Sequence, residues 1–372
     1  MSRLAAALVL FLLCLPACNP PPPSSQGIPQ GESVVPKKAL VIHAGKPVPD
    51  MPGERFFKNV RKLTSGGENA EAYWSNDGTK LVFQRRLRPT ECDQIYLLDL
   101  GTQEPARLVS TGKGVTTCSY FTLDDKHIIY ASTHLFDAKC PPPVARHKGR
   151  YVWAVREGFD LFLCDLDGSN LKRLTDTPGY DAEATVCPVT GRVLFTSARD
   201  GDLELYSMEQ NGSDLKRLTN RIGYDGGGFF SHDGSKIVYR SALFGSKEEA
   251  AESVEFLKNH VVVPSRLEIM VMDRDGKNPR QITKNGKANF APYFTPDDKA
   301  ILFSSNQDDS KGRNFEIYKV GVDGEGLVKV TENPSFDGFP MFSPNGKYIV
   351  FASNRFGDAE GETNIFLAEW VQ

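Results

Sequence analysis

The chain has 372 residues, with 24% charged, 40% hydrophobic and 10% aromatic side chains, 33 Gly and 24 Pro. This composition excludes a mainly disordered chain, a collagen-like repeat and a polytopic membrane protein. The 44 basic and 47 acidic residues give a net charge of −3 with no block of like charge, so nothing resembles a nucleic-acid footprint.

At the N-terminus, Arg3 is the only charge before an apolar stretch from Leu4 to Leu15. The stretch is too short for a transmembrane helix and fits a secretory signal over residues 1–17. Leu15-Pro16-Ala17-Cys18 resembles a bacterial lipobox, although Pro16 is unusual there. The resemblance implies cleavage before Cys18 and its acylation; the plainer alternative is a signal cut at Ala17 with Cys18 a bystander. Asn19 in place of Asp favours the outer over the inner membrane, with the chain facing the periplasm. Membrane contact is then expected through the lipid alone. Residues 18–52 read as a tether: Pro20 to Pro23 form a run, and Pro29, Pro36, Pro47, Pro49 and Pro52 follow. Such a segment is part polyproline II and part coil, with an upper reach on the order of 100 Å.

The remainder, 53–372, repeats itself. An apolar residue plus Thr closes a short strand at Leu63-Thr64, Leu174-Thr175, Leu218-Thr219, Ile282-Thr283 and Val330-Thr331, with Leu108-Val109 a degenerate copy. The gaps are 45, 66, 44, 64 and 48 residues, near the spacing of a four-stranded propeller blade with two enlarged copies. Apolar strands such as Leu81-Val82-Phe83, Ile237-Val238-Tyr239 and Ile349-Val350-Phe351 alternate with Asn-Gly and Asp-Gly turns, a strong signal for antiparallel hairpins. The last repeat supplies three strands, and Phe56 to Thr64 matches the missing fourth. The expected fold is all-β: a six-bladed β-propeller of four-stranded blades, the last closed by an N-terminal strand, which removes the open edge.

The segment from Phe342-Ser343-Pro344-Asn345-Gly346 to Asn354-Arg355 resembles the TolB-type, WD40-like propeller repeat, and Leu161 to Thr175 resembles its second half. The resemblance covers all six repeats and implies an envelope protein. It does not extend to the added N-terminal domain of the soluble periplasmic family members, so membership of the Tol–Pal machinery does not follow.

Aligning the inner strands gives the column Asn69, Thr116, Asp181, Asp225, Asn289 and Asp337, with Glu71 and Glu183 two residues on. Convergence of these groups would focus negative potential at one channel mouth. That mouth would suit a protein segment carrying Lys, Arg or an amine, or Ca²⁺ as an oxygen-ligated metal. Asp and Asn at such positions also cap loop backbone, a purely structural role. Two insertions, about 134–159 and 243–266, should rise around the same mouth. Lys247 to Asn259 reads as a helix with Ala250, Val254 and Leu257 on one side.

No G-x-S-x-G elbow, phosphate loop or H-E-x-x-H helix occurs. Cys92 and Cys140 fall in strand links of adjacent blades and are the best disulfide pair; Cys118, Cys164 and Cys187 read as small buried residues. A metal site from His134, Cys140 and His147 has irregular spacing. The first reading is a non-enzymatic, lipid-anchored envelope propeller, a monomeric domain that needs no cofactor and docks a protein or peptide at the acidic mouth. The second is a metal-assisted hydrolase or lyase acting on cell-wall or carbohydrate material in the channel.

Overall fold

The computed structural model describes residues 41–144 and 146–371. Cys18, the signal segment and most of the proposed tether lie outside them. Six antiparallel sheets surround a central channel. Their innermost strands are Glu68–Trp74, Thr116–Phe121, Asp181–Val186, Asp225–Phe230, Asn289–Phe294 and Asp337–Phe342. Second strands are apolar on both faces because each lies between neighbouring blades; Leu81, Val82, Phe83, Ile349, Val350 and Phe351 are fully buried.

The Thr column has a specific task. The Thr175, Thr219, Thr283 and Thr331 hydroxyls each accept the backbone N–H of the third strand, from Leu161, Leu205, Ile269 and Ile317, at 2.8–2.9 Å. Each satisfies a donor that the two-residue outer strand leaves unpaired. In the degenerate copy, Ser110 takes this role one residue later, binding Ile95 N at 2.9 Å.

The ring closes as expected: Phe57–Lys62 pairs with Asn364–Trp370 as the fourth strand of the last blade. Packing begins before residue 53, however. Lys46–Pro47 adds a fifth strand, pairing with Lys62 and Arg61, and buried Ala44 donates its N–H to Leu100 O. The apolar Ala44 and the ladder of Lys46–Pro47 hold this part of the Pro-rich segment to the propeller.

The insertions rise from blades two and four and join. Trp153–Ala154 pairs with Val261–Val262, making a canopy that arches past blade three. A small hairpin, Arg146–His147 with Arg150–Tyr151, extends it. The helix spans Lys247–Lys258, capped by Ser246, whose hydroxyl accepts Glu249 N at 3.2 Å. Its buried residue is Phe256, packed with Val152 and Val261, rather than the Ala250–Val254–Leu257 face. The aromatic ring wins because the canopy offers it an apolar seat. Cys92 and Cys140 are disulfide-bonded, Cα–Cα 5.4 Å, which ties the first insertion to blade one. Among the described residues no helix is long and apolar enough to cross a membrane.

Candidate functional site

Every innermost strand carries a β-bulge near its start, after the second residue in five blades and the third in the first, where two residues oppose one on the neighbouring strand. One bulge residue per blade adopts the left-handed conformation: Glu71, Cys118, Glu183, Gly227, Ala291 and Phe339, with φ between 48° and 60°. Five are not glycine, and each costs about 1–2 kcal/mol in backbone energy. At Gly227 a Cβ would meet the Arg240 guanidinium, so a larger residue there would have to displace it from Glu183. These six residues all line one cavity of about 1220 Å³ at the channel mouth, under the canopy.

This ring replaces the one expected from sequence. Asn69, Thr116, Asp181, Asp225, Asn289 and Asp337 are each at most 1% exposed and do not line the cavity. Their side chains join adjacent strands and blades. Asn69 Nδ2 donates to Thr363 O at 3.0 Å, and Thr116 Oγ1 to Asp93 O at 2.7 Å. Asp181 pairs with Arg199 at 3.0 Å, and Asp337 with Arg355 at 2.8 Å. Asn289 Nδ2 donates to Leu267 O at 2.7 Å, while Asp225 accepts the Ser241 hydroxyl. All six are therefore engaged inside the propeller, the three Asp with Arg or Ser side chains and the two Asn and Thr116 with backbone carbonyls. Glu71 and Glu183 do face the cavity, because the bulge turns them off the face of the preceding residues.

Burial without a full countercharge pushes the Asp225 carboxyl up to about 7; hydrogen bonding to Ser241 and the nearby Arg221 only partly offset it. The folded state then holds this proton more tightly than the unfolded chain. The resulting stability is present below about pH 4 and lost as pH rises through about 7. Asp225→Asn should remove this loss, on the order of 2–3 kcal/mol, from the difference between pH 5 and pH 8 in urea melts. Equal pH slopes in the variant and the parent protein would refute the assignment.

One cavity wall is polar. Glu183 accepts Tyr224 Oη and Thr196 Oγ1, each at 2.6 Å, and Gly227 N at 2.9 Å, and it pairs with Arg240. Burial works against the Arg240 charge, but Glu183 together with Tyr224 and Tyr180 outweighs it and the guanidinium pKa is raised. Glu71 accepts Tyr73 Oη at 3.0 Å and Cys118 Sγ at 3.1 Å. Burial pushes the Glu71 carboxyl up, Cys118 partly offsets this, and the Glu183 charge adds to it. Burial, with Glu71 beside it, holds the Cys118 thiol protonated.

The opposite wall is aromatic. Phe290 contacts Phe315 at 5.0 Å and Phe339 at 5.3 Å, Phe336 lies 6.1 Å from Phe315 and 6.2 Å from Phe339, and Trp153 of the canopy stands edge-on to Phe290 at 5.9 Å. The charge at the mouth also differs from expectation. The cavity is lined by Arg146, Arg150, Arg240, Lys311 and Arg313 against Glu68, Glu71 and Glu183, so cations outnumber carboxylates. Sequence reasoning missed these cations because Arg146, Arg150, Lys311 and Arg313 come from links outside the repeat, and Arg240 stands at a second-strand position that holds uncharged residues such as Gln84 and Ser304 in other blades.

Each residue of the six-residue column makes internal hydrogen bonds, and Asn69 Oδ1, Asp225 Oδ2 and Asp337 Oδ1 are in addition buried without a partner. Among the described residues no group of three or more His, Cys, Asp or Glu side chains is placed to hold a metal ion. The His134–Cys140–His147 set is dispersed. Cys140 is in the disulfide, His134 packs on Phe162 at 4.3 Å, and His147 meets Phe256 edge-on.

No protein-family model and no curated protein matches the chain. Solved structures do. The putative TolB of Agrobacterium tumefaciens aligns with a TM-score of 0.54 at 16% identity, over 82% of this chain and 91% of that one. TolB of Acinetobacter baumannii aligns at 0.53 and 18% identity, over 82% of this chain and 63% of that one. Hydrazine synthase of Kuenenia stuttgartiensis aligns at 0.55 and 14% identity, over 76% of this chain and 44% of that one. With its six four-stranded blades and terminal-strand closure, the chain has the β-propeller fold of the TolB proteins.

Proposed function

We propose that this protein is a lipid-anchored β-propeller of the bacterial cell envelope that binds a protein or peptide segment in the cavity at its channel mouth. The observation that carries this reading is the cavity itself. It is about 1220 Å³, larger than a typical small-molecule pocket, roofed by two joined insertions, and walled by aromatic rings on one side and polar groups on the other. Rigid propeller strands hold the walls, while loops supply the rim, the usual division of labour in recognition. The anchor at Cys18 and the periplasmic, outer-membrane location rest on the N-terminal sequence. The TolB likeness supports the propeller scaffold.

The test is site-specific photocrosslinking in intact envelopes. A photoreactive residue at Lys311, on the cavity rim, should capture a discrete partner. The same residue at Lys299, exposed on a hairpin turn of the opposite face, should not. Equal capture at both positions would remove the cavity from the reading.

A further inference from the structure

We infer that the occupant of this cavity is an acidic peptide segment that carries an aromatic side chain. The inference rests on the peptide-binding reading above and specifies its ligand chemistry. Four rim residues carry the charge argument: Arg146, Arg150, Lys311 and Arg313 are all exposed and line the cavity. Arg150 is paired with Glu252 at 2.7 Å. Among the described residues, no carboxylate lies within 4.0 Å of the charged groups of Arg146, Lys311 or Arg313. The carboxylates facing them do little to compensate. Glu183 is committed to Arg240, Glu68 to Arg86 at 2.5 Å, and burial disfavours the charged form of Glu71. Arg240 is nearly buried, yet its Nε has no hydrogen-bond partner, so one donor of the polar wall remains unused. Asp309 offsets part of the Lys311 charge, but it accepts the backbone N–H groups of Lys311, Arg313 and Asn314 and does not line the cavity, so the mouth keeps a net positive charge above a partly apolar well.

The aromatic wall separates a peptide from an anionic sugar. Phe290, Phe315, Phe336 and Phe339 pack against one another and offer no hydrogen-bonding atom. A hydroxylated ring seated there would lose water without replacement, whereas an aryl side chain loses none and gains ring contacts. Carboxylates on either side of that side chain would reach the rim cations, steering the segment into the mouth in a salt-dependent way.

The experiment uses the full chain and four fluorescent probes. These are a peptide of about 12 residues with one Phe between runs of Asp and Glu, its Asn/Gln counterpart, its Phe→Ala counterpart, and an oligo-uronate of similar charge. Fluorescence anisotropy should show the acidic Phe peptide binding about tenfold or more tightly than the other three. Lys311→Glu with Arg313→Glu should remove that preference while leaving thermal unfolding unchanged, because both side chains are exposed. Equal binding of the acidic and the Asn/Gln peptides, or no effect of the double charge reversal, would overturn the inference and leave the peptide-binding reading standing. Binding of the uronate with none of the peptides would overturn both.

Discussion

Arg355→Met should lower the unfolding free energy by about 3–5 kcal/mol, measured by urea denaturation. Arg355 is 4% exposed and lies between two buried carboxylates. It meets Glu54 through two hydrogen bonds, at 2.7 and 2.8 Å, and Asp337 at 2.8 Å. Glu54 precedes the N-terminal closing strand, and Asp337 opens the innermost strand of the same blade. This guanidinium therefore links the first part of the propeller to the last, at the point where the ring depends on its termini. Its removal would strand two carboxylates without countercharge, which is where the cost arises. Adding Glu54→Gln and Asp337→Asn to the variant removes those charges and should recover a large part of the loss. If the triple variant is no more stable than Arg355→Met, the cost has another origin.

Arg240→Leu should cost a similar amount, about 3–5 kcal/mol, and should also loosen the canopy. Its guanidinium pairs with Glu183 in the channel wall and lies 4.9 Å from the Tyr224 ring centre and 5.3 Å from that of Trp153. It is thus one contact through which the roof of the cavity rests on its polar wall, as Trp153 on Phe290 is on the aromatic one. Arg240→Lys keeps the charge but loses the planar stack, so it should restore part of the stability without restoring the roof. Hydrogen exchange at residues 152–155 and 261–263 reports the roof directly. Unchanged protection there in Arg240→Leu would separate the canopy from this residue.

The fold was legible because a propeller repeats its chemistry. Each blade needs the same hairpin turns and the same Thr hydroxyl, and each copy reinforces the others. Even the degenerate copy has a local reason, the Ser110 hydroxyl one residue downstream. The site was less legible. Period-2 reasoning puts Asn69 and Glu71 on one face, but a bulge intervenes in every inner strand and turns the second residue alone into the channel. A left-handed backbone at Glu71, Cys118, Glu183, Ala291 or Phe339 has no signature in side-chain type; Gly227 is the one position where composition hints at it. The disulfide partners Cys92 and Cys140 could be chosen from their place in adjacent links. The pairing of Trp153–Ala154 with Val261–Val262 could not, because it joins two insertions outside the repeat. The cationic rim escaped for a related reason: net charge and repeat columns average over loops that only the folded ring brings together.

The cavity as the place where a partner binds is tested most directly by filling it. Ala154 is a small, partly exposed residue on the canopy strand that lines the cavity. Ala154→Trp places a bulky ring in that space at little cost to the blades. Capture through a photoreactive residue at Lys311 should fall to background in this variant while its thermal unfolding stays close to that of the parent protein. Full capture by a folded Ala154→Trp protein would contradict binding inside the cavity.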